Sequence, residues 1–202
     1  YFYGGDGNDA LIGQGGVDVF IAGIGDDVMD GGAEGDYFYG EDGNDTGIGG
    51  AGNDIFVMVA GNDTANGDDG QDYFYMGFGD DVINGGAGVD VMLGEAGNDT
   101  FNGGLGVDYL FLGPGGAGDN DTVIVDKTNT GVEVVYNFEA GGANDTIRLT
   151  GTGWTNFQQV QAAITDYTAS GAFCVLTLDA DTSVWLIGVQ PSQLTAADFA
   201  FA

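Results

Sequence analysis

Residues 49–57 read Gly49-Gly50-Ala51-Gly52-Asn53-Asp54-Ile55-Phe56-Val57, and this nine-residue frame decides the fold. It repeats in both directions without an insertion, giving twelve consecutive units from Gly4 to Phe111. The sixth position is always Asp: Asp9, Asp18, Asp27, Asp36, Asp45, Asp54, Asp63, Asp72, Asp81, Asp90, Asp99 and Asp108. The fourth is Gly in every unit but one, where Glu34 stands. The eighth is large and apolar except at Gly47 and Ala65. A fixed period of this kind marks a repeat architecture, in which a unit buries its apolar side only by stacking on its neighbours. Tyr1-Phe2-Tyr3 fits positions seven to nine of a preceding unit, so the chain is expected to be the C-terminal part of a longer protein. Residues 115–124 form a thirteenth unit with one extra residue, which ends the register.

Each position has a physical part. Gly at positions one, two and four permits positive φ and close backbone approach, so a six-residue turn can aim carbonyls inward. Positions seven to nine form a short strand with only the middle side chain pointing to the interior. Two units then make one turn of a flattened helix, and equivalent loops stack at about 4.8 Å. Stacking sets the Asp of each unit against the Asp two units on, which is repulsive unless a cation lies between them. Calcium fits, being a hard ion content with six to eight carboxylate and carbonyl oxygens. The chain has no His and a single Cys, so the nitrogen and sulfur donors that zinc sites are built from are lacking. No loop carries the closing Glu of an EF-hand. The competing reading, Asx-turn residues without metal, leaves the stacked charge uncompensated.

The pattern Gly-Gly-x-Gly-x-Asp-x-apolar-x resembles the RTX (repeats-in-toxin) calcium-binding family over slightly more than half the chain. The resemblance implies an all-β architecture: a right-handed parallel β-roll over residues 1–124, followed by a β-rich cap and secretion-signal region over 125–202. It also implies ligands. Each ion takes the carbonyls of positions two and four and the Asp of one loop, then the carbonyls of positions one and three and the Asp one turn on. One site would use Gly5, Gly7 and Asp9 with Ala22, Ile24 and Asp27. The next, on the opposite edge, would use Gln14, Gly16 and Asp18 with Gly31, Ala33 and Asp36. Further position-two and position-four carbonyls are those of Gly23 and Gly25, Gly50 and Gly52, Gly86 and Gly88, and Gly104 and Gly106. Glu34 at a Gly position makes the loop of Asp36 the expected altered site.

Charge agrees with this. The net charge is −30, of which −22 lies in residues 1–111, where no base occurs. Twelve loops pair with the loop one turn on ten times, and about ten calcium ions would nearly neutralise the array. Without calcium the expected state is expanded and largely unfolded, since binding free energy is folding free energy in such a system. The two bases, Lys127 and Arg148, exclude a nucleic-acid surface, and one Cys excludes a disulfide framework. Two prolines exclude collagen; no apolar run spans a membrane and no signal peptide is legible. Disorder conflicts with 43% apolar residues. Without His, neither a zinc-protease motif nor a Ser-His-Asp triad is present. Family members include metalloproteases and lipases with catalytic domains N-terminal to the roll, so any catalysis is expected outside this chain.

Even units should place Phe20, Phe38, Phe56, Phe74, Met92 and Leu110 in the core; odd units should place Leu11, Met29, Gly47, Ala65, Ile83 and Phe101 there. The small residues at 47 and 65 match the bulk of the Phe ladder. Outward positions of even units alternate Tyr-rich strands (Tyr37/Tyr39, Tyr73/Tyr75) with aliphatic ones (Val19/Ile21, Ile55/Val57). This face calls for a covering partner, whether a second copy, a neighbouring domain or an N-terminal region, or else is a Tyr ladder tolerated in solvent. A Thr/Asn-ordered odd face could also bind ice. Beyond the repeats, Thr122–Val125, Val132–Phe138, Thr146–Leu149, Ala172–Leu178 and Val184–Ile187 read as strands and Asn156–Ile164 as a short helix. Cys174 reads as a buried apolar residue. Residues 141–145 shorten the loop, and Asp145 is a candidate for one further ion. The segments Asn144–Leu149, Val184–Gly188 and Leu194–Phe199 resemble the terminal region of RTX proteins, which caps the roll and carries the type I secretion signal. The expected function is a secreted calcium-binding module that folds outside the cell. The alternative is a self-assembling surface-layer, filament or adhesin protein.

Overall fold

The structure is a computed structural model that describes residues 1–113, 119–129, 131–141, 145–166 and 173–202. The thirteenth unit and the 141–145 loop lie partly outside the described residues, as does the start of the strand expected from Ala172. Strands β1 (Phe2–Asp6), β3 (Val19–Ile24), β5 (Tyr37–Asp42), β7 (Ile55–Ala60), β9 (Tyr73–Phe78) and β11 (Val91–Ala96) stack in parallel as one sheet. We call it the Phe sheet. Strands β2 (Ala10–Gly15), β4 (Val28–Ala33), β6 (Thr46–Ala51), β8 (Thr64–Gly70) and β10 (Val82–Gly88) stack as the second sheet. Strand β12 (Thr100–Phe111) runs through both, pairing with β10 at one end and β11 at the other. Every repeat register steps by eighteen residues, as Phe20↔Phe38 and Phe38↔Phe56 illustrate. The chain is thus an all-β parallel β-roll with two units to each turn.

The strands are longer than the three residues expected. Each continues from positions seven to nine into positions two and three of the next unit, and the register skips only position one, as between Tyr3↔Ile21 and Gly5↔Gly23. The positive φ values fall at positions two and four, as at Gly50 (+96°) and Gly52 (+138°), and not at position one. Most position-one glycines are set by crowding, although Ala22, Met58 and Met76 also stand at this position. A methyl group on Gly49 would strike the Asp54 carboxylate and the Gly67 carbonyl.

The interior of the Phe sheet is a stack of rings, Phe2–Phe20–Phe38–Phe56–Phe74, with centroids 5.0, 5.0, 4.5 and 4.9 Å apart. All the expected core residues are buried except Leu11, which is half-buried in the first turn. Gly47 packs against the Phe56 ring as volume matching requires. Met58, at position one, fills the same space.

After the repeats both sheets continue. Strands β13 (Thr122–Asp126), β15 (Thr146–Thr150) and β19 (Phe199–Phe201) extend the second sheet in parallel. Strands β14 (Gly131–Tyr136) and β18 (Ser183–Ile187) extend the Phe sheet in parallel. There β17 (Phe173–Thr177) and β16 (Ile164–Asp166) add the antiparallel pairings. Helix α1 (Phe157–Ala163) is capped by Asn156, whose side chain accepts from the Gln159 N–H. Cys174 is buried in β17. Buried Asp198 fastens the C-terminal segment, accepting from the N–H groups of Gly141 (2.9 Å) and Thr195 (2.6 Å). Among the described residues no helix is long and apolar enough to cross a membrane.

Candidate metal centre

The repeat Asp residues line the two edges of the roll in columns. In the first, the Asp9 N–H donates to Asp27 Oδ1 (2.6 Å), Asp27 to Asp45 (2.9 Å), Asp45 to Asp63 (2.7 Å), Asp63 to Asp81 (2.7 Å) and Asp81 to Asp99 (2.9 Å). In the second, Asp18, Asp36, Asp54, Asp72, Asp90 and Asp108 are linked in the same sense, at 2.7–3.0 Å. In ten of the twelve, all but Asp9 and Asp18 at the head of each column, one carboxylate oxygen therefore caps the turn before it. The other does not. In eleven of the twelve residues, all but Asp18, Oδ2 is buried with no hydrogen-bond partner.

Those orphaned oxygens share their space with carbonyls. A methyl group on Gly67 would touch both Asp72 Oδ2 and the Gly85 carbonyl, and one on Gly4 would touch Asp9 Oδ2 and the Ala22 carbonyl. The carboxylate of one loop and the position-one carbonyl of the next turn thus face one point, among them the expected donors Ala22 and, beside Asp18, Gly31. The position-three carbonyl of Ile24 accepts from the Gly7 N–H at 2.7 Å, leaving one lone pair. The carbonyls of Gly5, Gly7 and Gln14 occupy the space that a methyl group on Gly23, Gly25 or Gly32, one turn on, would need. The carbonyls of Gly52, Gly86 and Gly88 abut Gly70, Gly104 and Gly106 of the following turn in the same way, and Gly50 is paired in register with Asp68.

Glu34 takes the left-handed conformation of the Gly it replaces (φ +68°). Its carboxylate accepts from the Gly16 N–H at 2.8 Å, whereas the Gly7, Gly25 and Gly43 N–H groups donate to a position-three carbonyl. The loop of Asp36 is therefore altered in its hydrogen bonding, while Asp36 keeps its place in the column.

The electrostatics fit a cation. Burial first, and neighbouring carboxylates second, push Asp63, Asp72 and Asp99 up to about 7 in the absence of metal. A buried carboxylate oxygen without a partner costs several kcal/mol, on the order of 2–7, and eleven such oxygens in a folded chain call for a ligand that supplies positive charge. Among the described residues no three His, Cys, Asp or Glu side chains converge. Two carboxylates and a set of carbonyls are what a hard divalent ion accepts. Residues 3–38, 21–56, 60–83, 77–110 and 84–123 match the family model described as the RTX calcium-binding nonapeptide repeat (4 copies). The chain belongs to this RTX family.

RTX repeats bind calcium, and here they form the β-roll. None of the curated proteins matches the chain. Among solved structures, the extracellular lipase LipA from Serratia marcescens is similar to it at 20% identity over 93% of this chain, with a TM-score of 0.47. The RTX chain spans 40% of that lipase's length.

Three features of the RTX edges were not read from the sequence. Position-five side chains form an outer ladder: Asn8 accepts from the Asp26 N–H (3.1 Å), Asp26 from Asn44 (2.9 Å), Asn44 from Asn62 (2.8 Å) and Asn62 from Asp80 (3.0 Å). Its hydrogen bonds run opposite to those of the Asp column. Asp121 extends the first column, accepting from the Asp99 N–H at 2.8 Å. The Asn120-Asp121-Thr122 triplet repeats Asn98-Asp99-Thr100 and was a legible signal. Glu133 is paired in register with Asp108, and nothing in the period announces it.

Proposed function

We propose that the chain is a calcium-folded module of an exported bacterial protein, with the twelve repeat Asp residues and the flanking loop carbonyls as its ligands. The buried, unpartnered Oδ2 oxygens of the two columns carry this reading. Low cytosolic calcium leaves the chain unfolded and able to thread a secretion channel. Outside the cell, weak sites of about 10⁻⁴–10⁻³ M suffice to load and fold it. About ten ions occupy the paired loops and cancel most of the array's charge. Catalysis, where the whole protein has it, belongs to another domain. Far-UV circular dichroism tests the module: we expect β-structure to appear with calcium and to be lost on adding EGTA. Full β-structure in metal-free protein would sink the proposal.

A second reading, self-assembly at a cell surface, is favoured by the half-exposed ring row of the Phe sheet, with Tyr37 at 38% and Tyr73 at 40% exposure. Sedimentation with calcium distinguishes it. Assembly predicts an oligomer that a Tyr37→Lys/Tyr73→Lys variant disperses, and a monomeric wild type rules it out.

A further inference from the structure

We propose that Glu133, on the capping strand β14, is a calcium ligand that completes a terminal site with Asp108 at the end of the second Asp column. The proposal rests on the calcium reading of the columns and adds a site outside the repeats. Strand β14 pairs with β12 in the register Gly106↔Gly131 and Asp108↔Glu133, so Glu133 stands where the next repeat would place its Asp. Glu133 is 5% exposed and Asp108 fully buried, and neither Glu133 Oε2 nor Asp108 Oδ2 has a hydrogen-bond partner. Both oxygens aim at one point, since a methyl group on Gly103 would collide with each. At the equivalent point beside Gly85, Asp90 Oδ2 meets the Gly103 carbonyl. Glu133 Oε2 therefore takes the place that the next loop's carbonyl holds elsewhere in the column. Gly131 sits against the carbonyls of Gly104 and Gly106, as repeat glycines sit on the loop before them.

The first column ends differently. Its last carboxylate, Asp145, accepts from the Asp121 N–H (3.1 Å) through Oδ1 and from the Glu139 N–H (2.7 Å) through Oδ2. Backbone donors close that column, and among the described residues none closes the second at Glu133 Oε2. The charges that act on Glu133 are the like charges of Asp108 and Asp90, whereas Lys127 acts on Asp179. Two facing carboxylates with neighbouring carbonyls match a hard divalent ion in charge and in donor type. Such an ion bridges the last repeat and the cap, so loading of the array and ordering of β14 become one event.

Diffraction from the full chain crystallised with calcium tests this through the anomalous signal. The expected result is a calcium peak about 2.3–2.6 Å from both Asp108 Oδ2 and Glu133 Oε2, alongside peaks in the repeats. Peaks in the repeats with none at Glu133 overturn the proposal and assign a shared proton to the pair instead. No peak anywhere overturns the calcium reading of the columns as well. In solution, equilibrium dialysis of Glu133→Gln should show the loss of one bound ion with the rest retained. An unchanged count speaks against a ligand role, and if this variant does not fold, the wild-type diffraction decides.

Discussion

Val59 shows what a single residue costs in this fold. It occupies position two of its unit with φ +82°, a conformation that a β-branched side chain adopts only under strain. The loop tolerates it because the ladder on either side, Glu41↔Val59 and Val59↔Gly77, holds the backbone in place. The side chain is 40% exposed, so little burial offsets the strain. Val59→Gly should therefore stabilise the calcium-loaded protein by about 1 kcal/mol, read as a raised denaturation midpoint. A lowered midpoint would show that the valine's packing outweighs its backbone. The repeat pattern marks position two as a Gly site, and Val59 departs from it, as Gln14, Glu41, Asp68 and Glu95 do. What the pattern did not reveal is which Gly positions demand positive φ and which demand space. That distinction depends on where the neighbouring turn's carbonyls lie.

At the level of the element, the Phe ladder is the clearest unit. Phe56 stacks on Phe38 at 4.5 Å and on Phe74 at 4.9 Å, and Gly47 of the facing sheet leaves room for its ring. Phe56→Ala removes two stacking contacts and opens a cavity, and should cost about 3–5 kcal/mol in the calcium-loaded state by chemical denaturation. A loss below about 1 kcal/mol would mean that Met58 collapses into the space. The ladder was readable from the eighth position alone, and β-branched content and alternation marked β13, β14, β15 and β18, with helix α1, to within a residue or two; β16 was not read. Nor was Met58. It stands at position one, outside the core pattern, and its burial follows from the gap above Gly47.

For the whole molecule, charge and folding are one problem. The carboxylates of Asp63, Asp72 and Asp99 titrate near 7 and Asp121 near 8 in the metal-free roll, chiefly because burial disfavours their charged form. The folded values lie above the ordinary value of 3.8, so the metal-free folded state binds more protons than the unfolded one between about pH 4 and 8. Stability from these groups is fully present below the unfolded value and is lost as pH rises through 7. Residual β-structure in the metal-free chain should therefore be greater at pH 5 than at pH 8, read by far-UV circular dichroism. Calcium-loaded protein should behave oppositely, since protons compete with the ion for the same oxygens. A metal-free β-signal that rises with pH would contradict the assignment of buried, unpaired carboxylates.

The sequence by itself determined the period, the two Asp columns, the ring stack and the membership of the RTX family. In a repeat fold the long-range partner of residue i is residue i + 18, so spacing along the chain is distance in space. Tertiary structure alone decided how the columns end, with Asp145 closed by backbone N–H groups and Glu133 left facing Asp108. Past Phe111 the connecting segments vary in length. No period then links one strand to the next, and only the pairing of β14 with β12 brings Glu133 to the edge of the roll.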